Sequence, residues 1–321
     1  MDRTVRTIAK EKLPILDLER DPGELARALN AACEDVGFFY VSNHGVPDEL
    51  LRRVFALCAR FHAEPLEAKE ELAINSFHRG YIGTSSYRLN EGLKPNLSES
   101  LVMMHELAPA HPDLLAEKPL QGPNQWPDLP EFRETMLAYV GAMEELGRKL
   151  LVAFARALDL PGEYFSESFE QPTTFLRLLH YPPQPDASAD NQFGSAPHTD
   201  YGAMTMLAQD RAGGLHVRHR SGEWIVVTPI PGTFVVNIGD VMARWTNDRY
   251  ASTEHRVINT RGGHRYSVPF FFDPNMDVAI ECLETCRSED APPKYPPVRY
   301  GDYLLSRLDA HYAYRKSGAT I

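Results

Sequence analysis

The apolar positions of this 321-residue chain change their period near residue 161. Upstream, helical spacing dominates. Leu25, Ala28, Leu29 and Ala32 recur three or four apart, which predicts a helix over 22–35 with proline at its start. Further helices are predicted over 48–61 and 65–72. Met136, Val140, Met143, Leu146, Leu150 and Phe154 mark a long amphipathic helix over 131–158. Short strands are expected at 13–18 and 37–41, the second closed by the turn residues of Ser42-Asn43-His44-Gly45. Downstream, the apolar runs become short and rich in β-branched and aromatic residues. They fall at 175–181, 204–209, 214–219, 224–229, 233–238, 256–259 and 266–273, separated by turn formers. Strands at that spacing predict an antiparallel sandwich or barrel, and a last helix over 300–316 closes the chain. The expected class is therefore mainly β with flanking helices, in one compact unit without a separating linker.

Composition narrows the function. A net charge of −11 argues against a nucleic-acid surface, which needs a basic stripe to neutralise phosphates. No apolar run approaches a membrane span, and the first residues lack the apolar core of a secretion signal. Cys33, Cys58, Cys282 and Cys286 are too few and too scattered for a disulfide framework. A reduced, cytoplasmic setting is expected, and no protein partner is implied.

The chemistry is concentrated in His198-Thr199-Asp200, with His255 following Asp200 by 55 positions and Arg265-Tyr266-Ser267 ten positions beyond that. Side chains two apart on a strand share a face, so His198 and Asp200 are expected to project together. Two imidazoles and a carboxylate on one side of a metal leave other positions open, the ligand set of non-haem Fe(II) oxygenases. Arg265 and Ser267 are likewise two apart, and a guanidinium fork beside a hydroxyl suits a carboxylate. An H-x-D tripeptide alone is usually a polar loop, His255 alone could be a satisfied core histidine, and Arg265 alone could pair with a surface acid. Their joint spacing favours the metal. His216 and His219, three apart, are read as surface residues. Cys282 and Cys286 have no further Cys or His at zinc-site spacing.

Nearly the whole chain resembles the iron- and 2-oxoglutarate-dependent dioxygenases of the isopenicillin N synthase type. The resemblance is carried by Leu13-Pro14-Ile15-Leu16-Asp17, Gly37-Phe38-Phe39-Tyr40-Val41, Arg79-Gly80-Tyr81, Leu93-Lys94-Pro95, Tyr181-Pro182-Pro183, Pro197-His198-Thr199-Asp200-Tyr201-Gly202, Asn237-Ile238-Gly239-Asp240, His255-Arg256-Val257 and Arg265-Tyr266-Ser267. It implies a double-stranded β-helix (a distorted jelly roll) over 173–280. An N-terminal α/β region would span 1–125, a long connecting helix 126–172, and a closing segment 281–321. It further implies Fe(II) held by His198, Asp200 and His255, with 2-oxoglutarate bound by Arg265, Ser267 and Tyr181. Oxygen (O2) would be the third reactant, succinate and CO2 would be released, and a ferryl species would hydroxylate, desaturate or cyclise a small organic substrate. One departure stands out: Leu179 occupies a position where many plant members carry Asn, which puts one cosubstrate contact in question. Two other readings remain open at this point. One is an Fe(II) oxidase of the same fold that needs no 2-oxoglutarate; the other is a zinc hydrolase or a non-enzymatic ligand-binding barrel.

Strand alternation extends the reading to the substrate. If Tyr181 points inward, so do Phe175, Arg177 and Leu179, and Phe271 does so on the Arg265 strand. An inward arginine needs a partner. Arg177 is expected either to meet an anionic substrate or to form a structural ion pair, with equal weight. Tyr81 and Arg88 are expected near a lid over the pocket.

Overall fold

The computed structural model describes residues 13–84, 94–184, 192–259, 262–312 and 315. Its strands are β1 (Ile15–Asp17), β2 (Phe38–Ser42), β3 (Gly80–Ile82), β4 (Glu99–Met104), β5 (Thr173–Tyr181), β6 (Ser195–His198), β7 (Met204–Gln209), β8 (Leu215–Arg218), β9 (Trp224–Val227), β10 (Phe234–Ile238), β11 (His255–Val257), β12 (Arg265–Asp273), β13 (Ala279–Ile280) and β14 (Val298–Arg299). The helices are α1 (Pro22–Asp35), α2 (Asp48–His62), α3 (Leu66–Glu70), α4 (Pro112–Leu115), α5 (Phe132–Ala157), α6 (Asp240–Trp245) and α7 (Tyr300–His311).

The larger sheet runs β1-β2-β10-β7-β12-β5-β4-β3, and the smaller runs β6-β11-β8-β9. Apart from the parallel β1–β2 pair, the ladders of both sheets are antiparallel. Period-two alternation divides the core into two layers. On β2, Phe39 and Val41 pack with α5, whereas Phe38 and Tyr40 join Tyr181, Val217 and Val257 in a second cluster. That second cluster fills the space between the sheets. The arrangement is the jelly roll expected from the sequence, and it is covered on its outer face by α1, α2 and α5.

Local chemistry explains the helix that starts the fold. The Asp21 carboxylate accepts from the Gly23 and Glu24 amides, and Pro22 occupies the first turn where its missing N–H costs nothing. Gly37, which follows, adopts φ +70°, and a Cβ there would collide with the Ala251 carbonyl. The chain can reverse into β2 only because that side chain is absent.

The N-terminal strands β1 to β4 belong to the same sheet as β5, β7, β10 and β12, so that region is stitched into the core. Strand β4 was not visible in the sequence pattern. All six of its residues are buried, because neighbours cover both faces and erase the alternation. The closing helix runs Tyr300–His311 with Tyr312 extended after it, and residues 313, 314 and 316 of the predicted span lie outside the described residues.

Candidate active site

His198 closes β6 and His255 opens β11, and the two residues are paired directly across that ladder. Their ring centroids lie 4.2 Å apart. Each Nδ1 sits against a backbone carbonyl two residues upstream, Ala196 at 2.8 Å and Thr253 at 3.1 Å. A carbonyl only accepts, so both Nδ1 atoms carry hydrogen and both Nε2 lone pairs are left for a metal.

Asp200 lies just past the end of β6, so strand pleating does not aim it. Hydrogen bonds do. Its Oδ2 accepts from the Thr205 hydroxyl at 2.5 Å and from the Asn237 amide at 2.7 Å, and its backbone carbonyl accepts from the Asp240 amide at 2.8 Å. Oδ1 is thereby held 3.8 Å from His198 Nε2 and 3.7 Å from His255 Nε2. Among the described residues, these three form the one cluster of His, Cys, Asp or Glu able to hold a metal ion. Burial and the neighbouring His255 lower the His198 pKa to about 4. Burial alone would raise Asp200, but the two imidazoles and its two hydrogen bonds hold it below the usual carboxylate value. Both groups therefore stand in the deprotonated form that a metal requires. Two neutral nitrogens and one carboxylate oxygen fit Fe(II).

On the larger sheet, Arg265 and Ser267 point into the same cavity, and Tyr181 stands opposite Arg265 in the β5–β12 ladder. Arg265 is 1% exposed. Its Nε donates to the Gly213 carbonyl at 2.5 Å and its Nη1 to the Ser267 hydroxyl at 3.2 Å, while its guanidinium lies 4.5 Å over the Tyr181 ring. No carboxylate neutralises it among the described residues. A buried cation with neutral partners is costly and suits an anionic ligand. Leu179 faces Ser267 across the ladder and offers that ligand no hydrogen bond.

The cavity, of about 150 Å3, receives Phe175, Arg177, Leu179 and Tyr181 from one face of β5, as the alternation predicts. Phe271 lines it from β12 and meets Phe175 edge-on at 6.3 Å. Arg177 Nε donates to the Ser100 hydroxyl at 3.0 Å. Tyr81 is placed differently from expectation. Its side chain is buried near α3, its hydroxyl donates to Glu99, and the cavity wall does not include it. Arg88 lies outside the described residues. His216 is buried, not at the surface, because β8 is an interior strand between β11 and β9. Cys282 and Cys286 belong to no metal cluster among the described residues.

Three contributors escaped the sequence reading. Thr205 and Asn237 aim the aspartate, and only the Asn237-Ile238-Gly239-Asp240 motif hinted at one of them. His78, on the turn before β3, reaches the cavity from outside the catalytic motifs.

Residues 172–274 match the 2OG-Fe(II) oxygenase superfamily, and residues 13–129 match the region described as non-haem dioxygenase in morphine synthesis N-terminal. The chain belongs to the 2OG-Fe(II) oxygenase superfamily. It is 40% identical to the 2-oxoglutarate-Fe(II) type oxidoreductase hxnY of Emericella nidulans, over 94% of this chain and 92% of the relative. Homoarginine-6-hydroxylase 2-ODD-233 of Oryza sativa subsp. japonica is 35% identical over 92% of each chain. The crystal structure of Neurospora crassa T7H with alpha-KG and thymine superposes with a TM-score of 0.83 at 31% identity, covering 93% of this chain and 96% of that one. The protein is thus a non-haem Fe(II)- and 2-oxoglutarate-dependent oxygenase, a reading these relatives favour over a cosubstrate-independent oxidase or a hydrolase.

Proposed function

We propose that this oxygenase hydroxylates a small organic molecule bearing an anionic group. His198, Asp200 and His255 would hold the iron, and Arg265 with Ser267 would grip the far carboxylate of 2-oxoglutarate. Tyr181 would cover the guanidinium face. The chemistry supplied by iron and cosubstrate, when bound, is activation of O2 coupled to loss of CO2 from the keto acid. The protein orients the two reactants and keeps water out with Phe175, Leu179 and Phe271. A small-molecule substrate agrees with the thymine-bound Neurospora T7H structure.

The observation that carries the anionic reading is Arg177. Its guanidinium lines the same cavity as the metal donors, near enough to His198 to help lower that imidazole's pKa. Succinate release should be screened with a panel of small carboxylic acids, with homoarginine and thymine as comparators. The acids are expected to stimulate release most. In Arg177→Leu the KM for the best acid should rise at least tenfold while that for 2-oxoglutarate stays constant. An unchanged KM for the acid would return Arg177 to a structural role on Ser100.

A further inference from the structure

Strand β12 sends every second side chain into the oxygenase cavity: Arg265, Ser267, Pro269, Phe271 and Asp273 all line it. The row begins with a buried cation and ends with a buried acid. Asp273 is 3% exposed. Its Oδ1 accepts from the Ala203 amide at 2.7 Å, and its Oδ2 accepts from the Tyr300 hydroxyl at 2.7 Å. Both donors are neutral. Among the described residues no lysine, arginine or histidine pairs with this carboxylate. Burial, opposed by those two hydrogen bonds and reinforced by the Asp200 charge, pushes its pKa up to about 7.

Holding the Ala203 amide and the Tyr300 hydroxyl requires only a neutral acceptor, so the charge is surplus to that task. A buried charge without a counter-charge is costly. A carboxylate offers about four lone-pair sites, and the two hydrogen bonds leave capacity for further donors. A Cβ on Gly202 would collide with the carboxylate, so the glycine makes room for the acid beside the loop that carries Asp200. Phe271 lies two residues back on the same face of β12. Phe175 stands opposite Phe271 in the β5–β12 ladder, with the two rings 6.3 Å apart. An acid next to aromatic rings is a setting that stabilises an organic cation.

We propose that Asp273 anchors a cationic nitrogen group of the substrate, an alkylammonium or a guanidinium, at the end of the cavity away from Arg265. Taken with the anionic reading above, the substrate class becomes a small zwitterion. The cation site itself rests only on this cavity being where the substrate of the oxygenase binds.

The test uses protein loaded with 2-oxoglutarate and with Zn(II), which accepts the same donors and blocks turnover. The probes are the propyl, butyl and pentyl ammonium and guanidinium ions, the alcohols of the same lengths, and pentanoate, each titrated by ligand-observed NMR. At least one cation should bind wild type about 10- to 100-fold more tightly than its alcohol, the value of a charge-assisted hydrogen bond. Asp273→Asn keeps an acceptor for the Ala203 amide and a partner for Tyr300. In that variant the preference should vanish, with affinity for the alcohols and for 2-oxoglutarate unchanged. In aspartate-13C-labelled wild type, the preferred cation should move the Asp273 carboxyl signal and its alcohol should not. That measurement decides the matter even where Asp273→Asn fails to fold. A preference that survives Asp273→Asn, an unmoved carboxyl signal, or a wild type that binds no cation better than its alcohol overturns the proposal. Pentanoate separates the two readings. Cation binding through Asp273 without pentanoate binding sinks the anionic reading alone, whereas pentanoate binding without any cation preference sinks the Asp273 site alone.

Discussion

Arg265 and Tyr181 face each other across the β5–β12 ladder, with the guanidinium 4.5 Å over the phenol ring. The ring seals one face of the cation, Gly213 and Ser267 occupy two of its donor nitrogens, and a remaining nitrogen is left for an incoming acid.

That relationship predicts how cosubstrate binding responds to substitution. Arg265→Lys keeps the charge but loses the planar fork and its stacking. Affinity for 2-oxoglutarate should fall about 10- to 100-fold, the value of a charge-assisted hydrogen bond, with iron affinity unchanged. Ser267→Ala should cost roughly three- to tenfold. Anaerobic titration of the iron-loaded protein, followed by visible absorbance, measures both. Wild-type affinity in Arg265→Lys would exclude the fork as the anchor.

The aspartate ligand depends on two neighbours. Removing the Asn237 amide, or replacing Thr205 with Val, frees Asp200 Oδ2 to rotate away from its present orientation. Metal affinity should drop about 10- to 100-fold in each variant, as for other groups that orient ligands. Chelator competition reads this directly. The thermal stabilisation that Fe(II) confers on wild type should shrink in parallel.

A buried ion pair behind the cavity predicts the acid behaviour. Glu99 accepts from Lys69 at 2.8 Å, from His180 at 2.7 Å and from the Tyr81 hydroxyl. Burial pushes its pKa upward, but these donors prevail and hold it at about 2, below the ordinary 4.5. A depressed carboxylate stabilises the fold fully above 4.5, and that contribution is lost as pH falls toward about 2. Glu99→Gln should destabilise the protein by about 3–5 kcal/mol at neutral pH, because Lys69 is left buried without a counter-charge. It should also flatten the stability profile across that acid window. Denaturant titrations at a series of pH values test both, and a variant as stable as wild type would mean that the pair contributes nothing.

Helix α5 meets β12 through Gly147, where a Cβ would come within 2.6 Å of the Phe272 ring. Gly147→Ala should therefore destabilise by about 1–3 kcal/mol through overpacking, despite alanine's better helix propensity. Equilibrium unfolding checks the sign. A stabilised variant would show that the ring moves aside freely.

Much of this architecture is legible where its causes are local. Helix α1 falls at the residues predicted because its cap, its first-turn proline and its apolar stripe all lie within one stretch of chain. Arg265 and Ser267 end on a common face because strand period is a local property, whereas His198 and His255 meet only by pairing across the β6–β11 ladder. Asp200 is different, since its aim comes from Asn237, 37 positions away. Tyr81 shows the other limit: its motif marks a position, but only the Glu99 carboxylate decides which way the phenol turns. His78 owes its orientation to Arg79 and Gln125, whose partners are dispersed over some fifty residues. None of that is periodic.

The histidine donors ride on the smaller sheet, whereas Arg265, Ser267 and Arg177 ride on the larger. Tyr181, Leu215, Val217 and Val257 act as spacers between the two layers. Alignment of oxidant with target is thus a property of filler volume, so trimming a spacer such as Val217 would detune the reaction without removing a single ligand.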